Sequence, residues 1–403
     1  MIAFKNAYLI DGTGAAPVPD ATVIVEGRSI CCAGAGISVP EDAFVIDLKG
    51  KPLIPGLSDA HAHIGGSAEL DRPGCSSAFS SYLFAENREA ALRWGVTALR
   101  SAGDFTPDIL RFRDEVNSGK HRSPRVIACG RFIQARGGHP LSTVFSDDPA
   151  IAENACVLID DASDVETEVE KLYDQGADWI KVVASDDNKF KYPDSTVPRL
   201  SDDQLLRISE TAHKLGLPVM AHVDDIADAA RAARAGVDTI EHLINIATSD
   251  HVLTDEIIRL LTDEDIWVVP TLIATKNHDG GIEGAPLAWP DLQSAMRLLI
   301  ESGARIGVGC DSGIPFIPFG ECVHTEMELL TEVGYTPLEA ITAATGCNAK
   351  MLRAADVFGT IAPGQAADVV VLGSNPLDNI RNTRDIRLVL RDGAVVVDNL
   401  LSQ

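Results

Sequence analysis

The segment Leu53-Ile-Pro-Gly-Leu-Ser-Asp59-Ala-His61-Ala-His63 reads as a short apolar strand that ends in two histidines. A spacing of two puts both imidazoles on the same face of a strand. Similar apolar runs recur at 96–101, 125–129, 178–184, 218–223, 237–242, 266–270 and 305–310, which makes eight strand candidates in all. Helical patterns lie between most of them. Ser201-Asp-Asp-Gln204 is a capping box opening a helix to Lys214, stopped by Gly216. Asp225 to Ala235 is alanine-rich and ends at Gly236. Thr336-Pro-Leu-Glu339 is a second capping box, with proline at the first helical position. Eight strands alternating with helices over residues 55–357 predict an α/β chain folded as a (β/α)₈ TIM barrel. A doubly wound open sheet is the alternative, but no G-x-G-x-x-G follows any strand.

The two ends read differently. Ala21-Thr-Val-Ile-Val25 and Ala43-Phe-Val-Ile-Asp47 are β-branched runs, as are Ala367-Asp-Val-Val-Val-Leu372, Leu388-Val-Leu390 and Ala394-Val-Val-Val397. Asp392-Gly393 is a hairpin signal. Neither end has enough strands to close a core alone, so residues 1–54 and 358–403 are expected to pair as one small β-sandwich domain beside the 55–357 barrel.

Of the 403 residues, 45% are apolar and 23% charged, an ordinary globular mix that excludes disordered, collagen-like and coiled-coil chains. No apolar run is long enough to span a membrane, and the first residues lack a secretory pattern. A net charge of −25 repels phosphate backbones and anionic lipid, which argues against nucleic-acid and membrane partners; the expectation of a small-molecule substrate comes instead from the residues described below. The eight cysteines show no C-x-x-C and no regular framework, so reduced thiols and a cytoplasmic location are expected.

In such a barrel the chemistry sits at the C-terminal ends of the strands. His61 and His63 end the first strand, His222 the fifth, His242 the sixth, and Asp311 the eighth. Lys181 lies within the fourth, Asp178-Trp-Ile-Lys-Val-Val-Ala184. A lysine facing inward among apolar neighbours is costly unless neutralised, paired or chemically used. Any one of these residues alone has a plain reading: a satisfied core histidine, a turn aspartate, an outward lysine. Random placement rarely puts five ligand types on the ends of strands 1, 5, 6 and 8 with a lysine on strand 4, and the set points to one shared site.

That constellation resembles the amidohydrolase superfamily. The supporting motifs are Pro55-Gly-Leu-Ser-Asp59-Ala-His61-Ala-His63, Trp179-Ile-Lys181-Val, Val219-Met-Ala-His222, Thr239-Ile-Glu241-His242 and Val308-Gly-Cys-Asp311-Ser-Gly, with Gly359-Thr-Ile-Ala-Pro-Gly364-Gln-Ala-Ala-Asp368 near the end. The resemblance implies two divalent metal ions, zinc above all, bridged by Lys181 carboxylated with carbon dioxide. His61, His63 and Asp311 would hold the first ion, and His222 and His242 the second. Imidazole and carboxylate suit zinc and similar ions. The chain looks most like the prolidase-like branch, on the strength of Gly137-Gly138-His139 after the third strand. In that branch the matching histidine polarises the substrate carbonyl; a loop histidine in a glycine-rich turn is the plainer reading. Members are often homo-oligomers, and the resemblance extends that expectation here. Two loops depart from the branch pattern: Ser185-Asp-Asp-Asn-Lys-Phe-Lys-Tyr192 and Pro318-Phe319-Gly320.

The chemistry so implied is hydrolysis of an amide-like C–N bond, by attack of a hydroxide shared between two metals, with Asp311 as proton shuttle and His139 assisting at the carbonyl. A dipeptide or N-acyl amino acid fits the branch best. Its carboxylate needs a cation or donor, and Arg136, Lys189, Lys191, Tyr192 and Arg199 stand on the right loops, Tyr192 foremost. A neutral urea, carbamate or anilide is the second substrate class, and a cyclic amidine the third. A non-catalytic scaffold is the reading from another class, and the complete ligand set counts against it. His121, His251, His278 and His324 follow no ligand spacing and are expected on surfaces or loops. Asn277 to Gly284, rich in glycine, is expected to be either a lid or a plain connection.

Overall fold

The structure, a computed structural model, describes residues 1–69, 82–186, 196–244, 253–263, 265–278 and 288–400. Both chain ends share one sheet. Strands β1 (Ile2–Leu9), β2 (Val18–Glu26), β3 (Ser29–Gly34), β4 (Phe44–Asp47) and β5 (Pro52–Pro55) come from the start of the chain. The middle supplies β6 (Leu57–Ala62), β7 (Val96–Ser101), β8 (Arg125–Ala128), β9 (Phe132–Ala135), β10 (Cys156–Ile159), β11 (Ile180–Val183), β12 (Val219–His222), β13 (Thr239–Glu241), β14 (Trp267–Val269) and β15 (Arg305–Ile306). Strands β16 (Val369–Leu372), β17 (Ile386–Arg391) and β18 (Ala394–Asp398) close the chain.

The first sheet runs β18-β17-β16-β5-β1-β2-β3, with β4 also on β1. Its two contributions meet where β16 lies antiparallel to β5, Val370 opposite Ile54. The expected pairing of the ends is therefore present. Alternation puts Phe4, Val23, Leu53, Val369, Val371 and Leu388 into one apolar cluster. A knot of charge fastens this sheet to the feet of the parallel strands. Arg125 of β8 reaches Asp368 at 3.2 Å and also meets Asp392, which Arg28 contacts from the other side.

The middle of the chain is parallel. One set pairs as β6-β7-β8 and the other as β10-β9-β11-β12-β13-β14-β15. Every residue of β6, β7 and β11 is buried, as strands covered on both faces require. Backbone bonds cross both gaps between the sets. Asp178 donates to the Ala128 carbonyl at 2.8 Å, and Ala60 donates to the Val308 carbonyl at 2.9 Å. Helices return the chain between strands. The helix Asp202–Lys214 begins at the expected capping box, Ser201 Oγ accepting from Gln204 N–H and Gln204 Oε1 from Ser201 N–H. Thr336 and Glu339 form the second box. Among the described residues no helix is long and apolar enough to cross a membrane.

Two strand expectations need correction. The run at 125–129 stops at Ala128, because Gly130 takes a φ of 71° and turns the chain, and the unforeseen β9 and β10 follow. The run at 305–310 is a ladder only over Arg305–Ile306. Beyond it Gly309 lies so close to β6 and β14 that a Cβ would stand 2.8 Å from His61 Cβ and 2.5 Å from Val269 Cγ1.

That contact predicts the effect of Gly309→Ala. The added methyl has no space, and overpacking of this kind costs roughly 1–3 kcal/mol. Urea unfolding should show a lower midpoint at an unchanged slope; an unchanged midpoint would refute the close approach.

Candidate metal centre

The C-terminal ends of the parallel strands bring the expected residues together. Asp311 Oδ1 lies 3.5 Å from His61 Nε2 and 3.2 Å from His63 Nε2. The rings of His61 and His242 are 4.8 Å apart between centroids, His242 and His222 4.5 Å, and His222 and His139 4.7 Å. The chain bends sharply to present them. His242 and Asp311 follow β13 and β15 with φ of 72° and 63°, left-handed values uncommon outside glycine, which His and Asp adopt more readily than most other residues. Such backbone angles cluster where side chains are aimed for a purpose.

Each histidine is held by one ring nitrogen. His61 Nδ1 meets Glu241 Oε2 at 2.5 Å, and His63 Nδ1 meets the Gly103 carbonyl at 2.8 Å. His242 Nδ1 meets Thr271 Oγ1 at 2.8 Å. His222 is reversed: its Nε2 is held by Asp224 at 3.2 Å. In neutral His61 and His63, Nδ1 must be the donor to these acceptors, so each turns an Nε2 lone pair toward Asp311.

Charge and burial shape the rest. Burial, with Lys181 nearby, holds His61 down to about 4. Burial also works against a charge on His63, but Asp311 and Asp104 outweigh it and raise that pKa. Burial would raise Asp311, yet the surrounding histidines hold its carboxyl well below the usual range. His139 is pushed down to about 3 by burial and by His222. Lys181 is only 4% exposed, and burial lowers its pKa although Glu241 and Asp311 pull the other way. Among the described residues its Nζ has no hydrogen-bond partner, and Asp311 Oδ1 makes no well-formed hydrogen bond.

Two orphaned polar atoms beside converging lone pairs are a costly arrangement in a dry interior. A divalent cation relieves it, since imidazole nitrogens and a carboxylate oxygen are a donor set that zinc accepts. His61, His63 and Asp311 form one group of potential ligands with donor atoms within 4.8 Å of one another. His139, His222 and Asp224 form another.

Several supporting residues were not anticipated. Glu241 stands beside His242 in the quoted motif, and the fold turns it onto His61. Arg100 is fully buried, donating to Glu241 Oε1 at 2.8 Å and to the Ala60 carbonyl at 2.6 Å, with its guanidinium 4.5 Å from the Trp179 ring centre. Burial opposes the charge on Glu241, but Arg100 and His61 hold its pKa well below the usual range. A charge inside Val96-Thr-Ala-Leu-Arg-Ser101, and another inside the β13 motif, were the available signals. Asp224 and Thr271 carried none beyond their position just after strand ends.

Other expectations fare unevenly. His139 joins the site, its Nδ1 2.7 Å from Thr143 Oγ1 and its ring stacked on His222. Tyr192, Lys189 and Lys191 lie outside the described residues, as do His251 and residues 279–284 of the glycine-rich stretch. Arg136 and Arg199 are engaged by carboxylates, Arg136 by Asp160 at 3.3 Å and Arg199 by Asp186 at 2.9 Å and Asp228 at 3.2 Å. His324 is not on a surface. The helix Glu321–Glu332 buries it, with its nitrogens 2.9 Å from Thr383 Oγ1 and from the Trp94 carbonyl.

The sequence matches the model of the amidohydrolase family over residues 53–396. It is 26% identical to the ochratoxinase of Aspergillus niger over 412 aligned positions, covering 93% of this chain and 81% of that one. Among solved structures, a Xaa-Pro dipeptidase with methionine bound in its active site superposes with a TM-score of 0.83 at 25% identity, covering 98% of this chain and 99% of that one. Phenylurea hydrolase B does so with a TM-score of 0.83 at 25% identity, covering 99% and 97%.

The Arg100–Glu241 pair yields a second prediction. Arg100→Met leaves the Glu241 carboxylate buried without its guanidinium countercharge, with only His61 and Thr239 still in contact, which costs about 3–5 kcal/mol. It also loosens His61, and loss of such support weakens metal binding by roughly 10–100-fold. Urea unfolding and competitive zinc titration measure the two effects; a variant matching the parent in both would remove the assigned role.

Proposed function

The chain belongs to the amidohydrolase family, and from that membership we propose a binuclear metal-dependent hydrolase of dipeptides or N-acyl amino acids. That it is a hydrolase acting on amide C–N bonds follows from the family and its enzyme relatives. The two parallel sets of strands, bonded across both gaps, are read as one (β/α)₈ barrel of residues 55–357. The terminal sheet is read as the separate domain of residues 1–54 and 358–403.

In this reading His61, His63 and Asp311 would hold one ion and His222 and His242 the other, with Lys181, carboxylated, as a ligand they would share. The observation that carries it is the orphaned Lys181 amine, buried among these ligands. Burial lowers its pKa and so favours the neutral amine, the form that takes up carbon dioxide. When bound, the ions would activate a water and polarise a carbonyl.

The side chains do the remaining work. Asp311 accepts a proton from the attacking water and hands it to the leaving nitrogen. Its depressed pKa keeps it ionised and ready for the first transfer. His139 donates from Nε2 to the carbonyl oxygen, and Thr143 supports that tautomer if its hydroxyl donates to Nδ1. Glu241 and Arg100 fix the His61 ring, and Asp224 and Thr271 fix His222 and His242.

A neutral urea, carbamate or anilide is the second reading. The likeness of the fold to phenylurea hydrolase B favours it.

Asp311→Asn should fold like the parent yet lose about a thousandfold or more in kcat. Chelation followed by dialysis without bicarbonate should abolish turnover of N-acyl amino acids, and zinc with bicarbonate should restore it. Near-parental turnover by Asp311→Asn, or full activity after chelation, would refute the assignment.

A further inference from the structure

The turn Ser101-Ala-Gly-Asp104 leaves β7 beside the residues that follow His63. It is wedged in place. Ala102 donates to the Ala62 carbonyl at 2.8 Å, and Asp104 donates from its main chain to the Gly130 carbonyl at 3.1 Å. Gly103 takes a φ of 140°, and a Cβ there would stand 2.6 Å from the Phe132 ring, so a side chain has no space. The Gly103 carbonyl is thereby aimed at His63, whose Nδ1 lies 2.8 Å away.

Asp104 grips the same stretch by its main chain. Its Oδ2 accepts from Ile64 N–H at 3.0 Å and its Oδ1 from Gly65 N–H at 2.7 Å, while Ser101 Oγ donates to Oδ2 at 2.6 Å. Asn87, in the helix Leu83–Arg93, closes the clamp by donating to the Ile64 and Gly66 carbonyls at 2.8 and 2.9 Å. His63 is therefore held twice from one turn, its ring through Gly103 and the main chain after it through Asp104.

The carboxylate is costly where it stands. Asp104 is fully buried, and its three side-chain partners are all donors, which suits the ionised form. Burial raises its pKa, and nearby His63 together with the three donors acts against that rise. Glu241, which orients His61, has Arg100 at 2.8 Å, whereas no lysine or arginine pairs with Asp104 among the described residues. A buried carboxylate without a basic partner lowers stability unless positive charge gathers close by. A cation between His63 and Asp311 is positive charge of that kind.

We propose that Asp104 is a positioning residue for the first ion, fixing His63 through the main chain of residues 64–65 and adding negative charge beside that site. The proposal rests on the binuclear reading, in which His63 is a ligand.

Competitive zinc titration of the full chain tests it. The parent should take up two ions. Asp104→Asn, similar in size but uncharged and one acceptor short, should weaken one of the two by about 10–100-fold and leave the other unchanged. Its turnover should fall at limiting zinc and return in excess zinc. Val169→Ala trims a buried side chain of the helix Val165–Asp174, which bears no ligand. It should lower the melting temperature and leave both affinities at parental values. Ser101→Ala removes one of the three donors and should weaken the same ion to a smaller degree, which carries the test if Asp104→Asn does not fold. Parental affinities in Asp104→Asn, or in Ser101→Ala where that variant carries the test, overturn the proposal. So does equal weakening of both ions, or a matching loss in Val169→Ala. In each of these cases two ions on the parent leave the binuclear reading standing. A parent that takes up fewer than two ions overturns both.

Discussion

A lysine amine sealed among the parallel strands, with no hydrogen-bond acceptor among the described residues, is the constraint around which this molecule is organised. An ammonium there would be a buried charge facing only partial compensation, and a bare amine would be a buried polar group left unused. Folding does not tolerate either without return. The neighbouring residues repeat the theme: a carboxylate faces two imidazoles whose other nitrogens already have partners. The cluster makes chemical sense as a receptacle for positive charge.

Holding such a receptacle together needs support from outside it. Glu241 anchors His61, and Arg100 neutralises Glu241 while bracing the β6 backbone at Ala60. Asp59 accepts from the His61 and Cys310 backbones and from Ser312, so β6 and the segment after β15 share one buried carboxylate. Further out, Glu326 accepts from Leu272 and Ile273, the residues next to Thr271, which holds His242. Burial pushes the Glu326 carboxyl up to about 8. The ligand-type residues therefore belong to a polar network that reaches from one strand end to the next.

Much of this was legible in the sequence because its signals are local. A two-residue histidine spacing, a lysine in an apolar strand and two capping boxes each have a short-range physical cause; in the fold His61 and His63 lie beside Asp311, and His242 lies between His61 and His222. The terminal runs announced their pairing through β-branched composition. What stayed hidden depends on three-dimensional partners. Arg100 and Glu241 are 141 positions apart, and either alone looks like an ordinary charge near a strand end. Arg199 is an ordinary loop cation in sequence, and only the fold puts it beside Asp186 and Asp228. His324 lacked any ligand spacing and was expected outside, yet a helix face and the backbone of Trp94 enclose it.

Anomalous X-ray diffraction at the zinc edge, from crystals grown with zinc and bicarbonate, tests the central claim most directly. The account predicts two anomalous peaks, one against His61, His63 and Asp311 and the other against His222 and His242, with density extending past Lys181 Nζ to join them. A single peak remote from these residues, or none beside an unextended lysine, would contradict it.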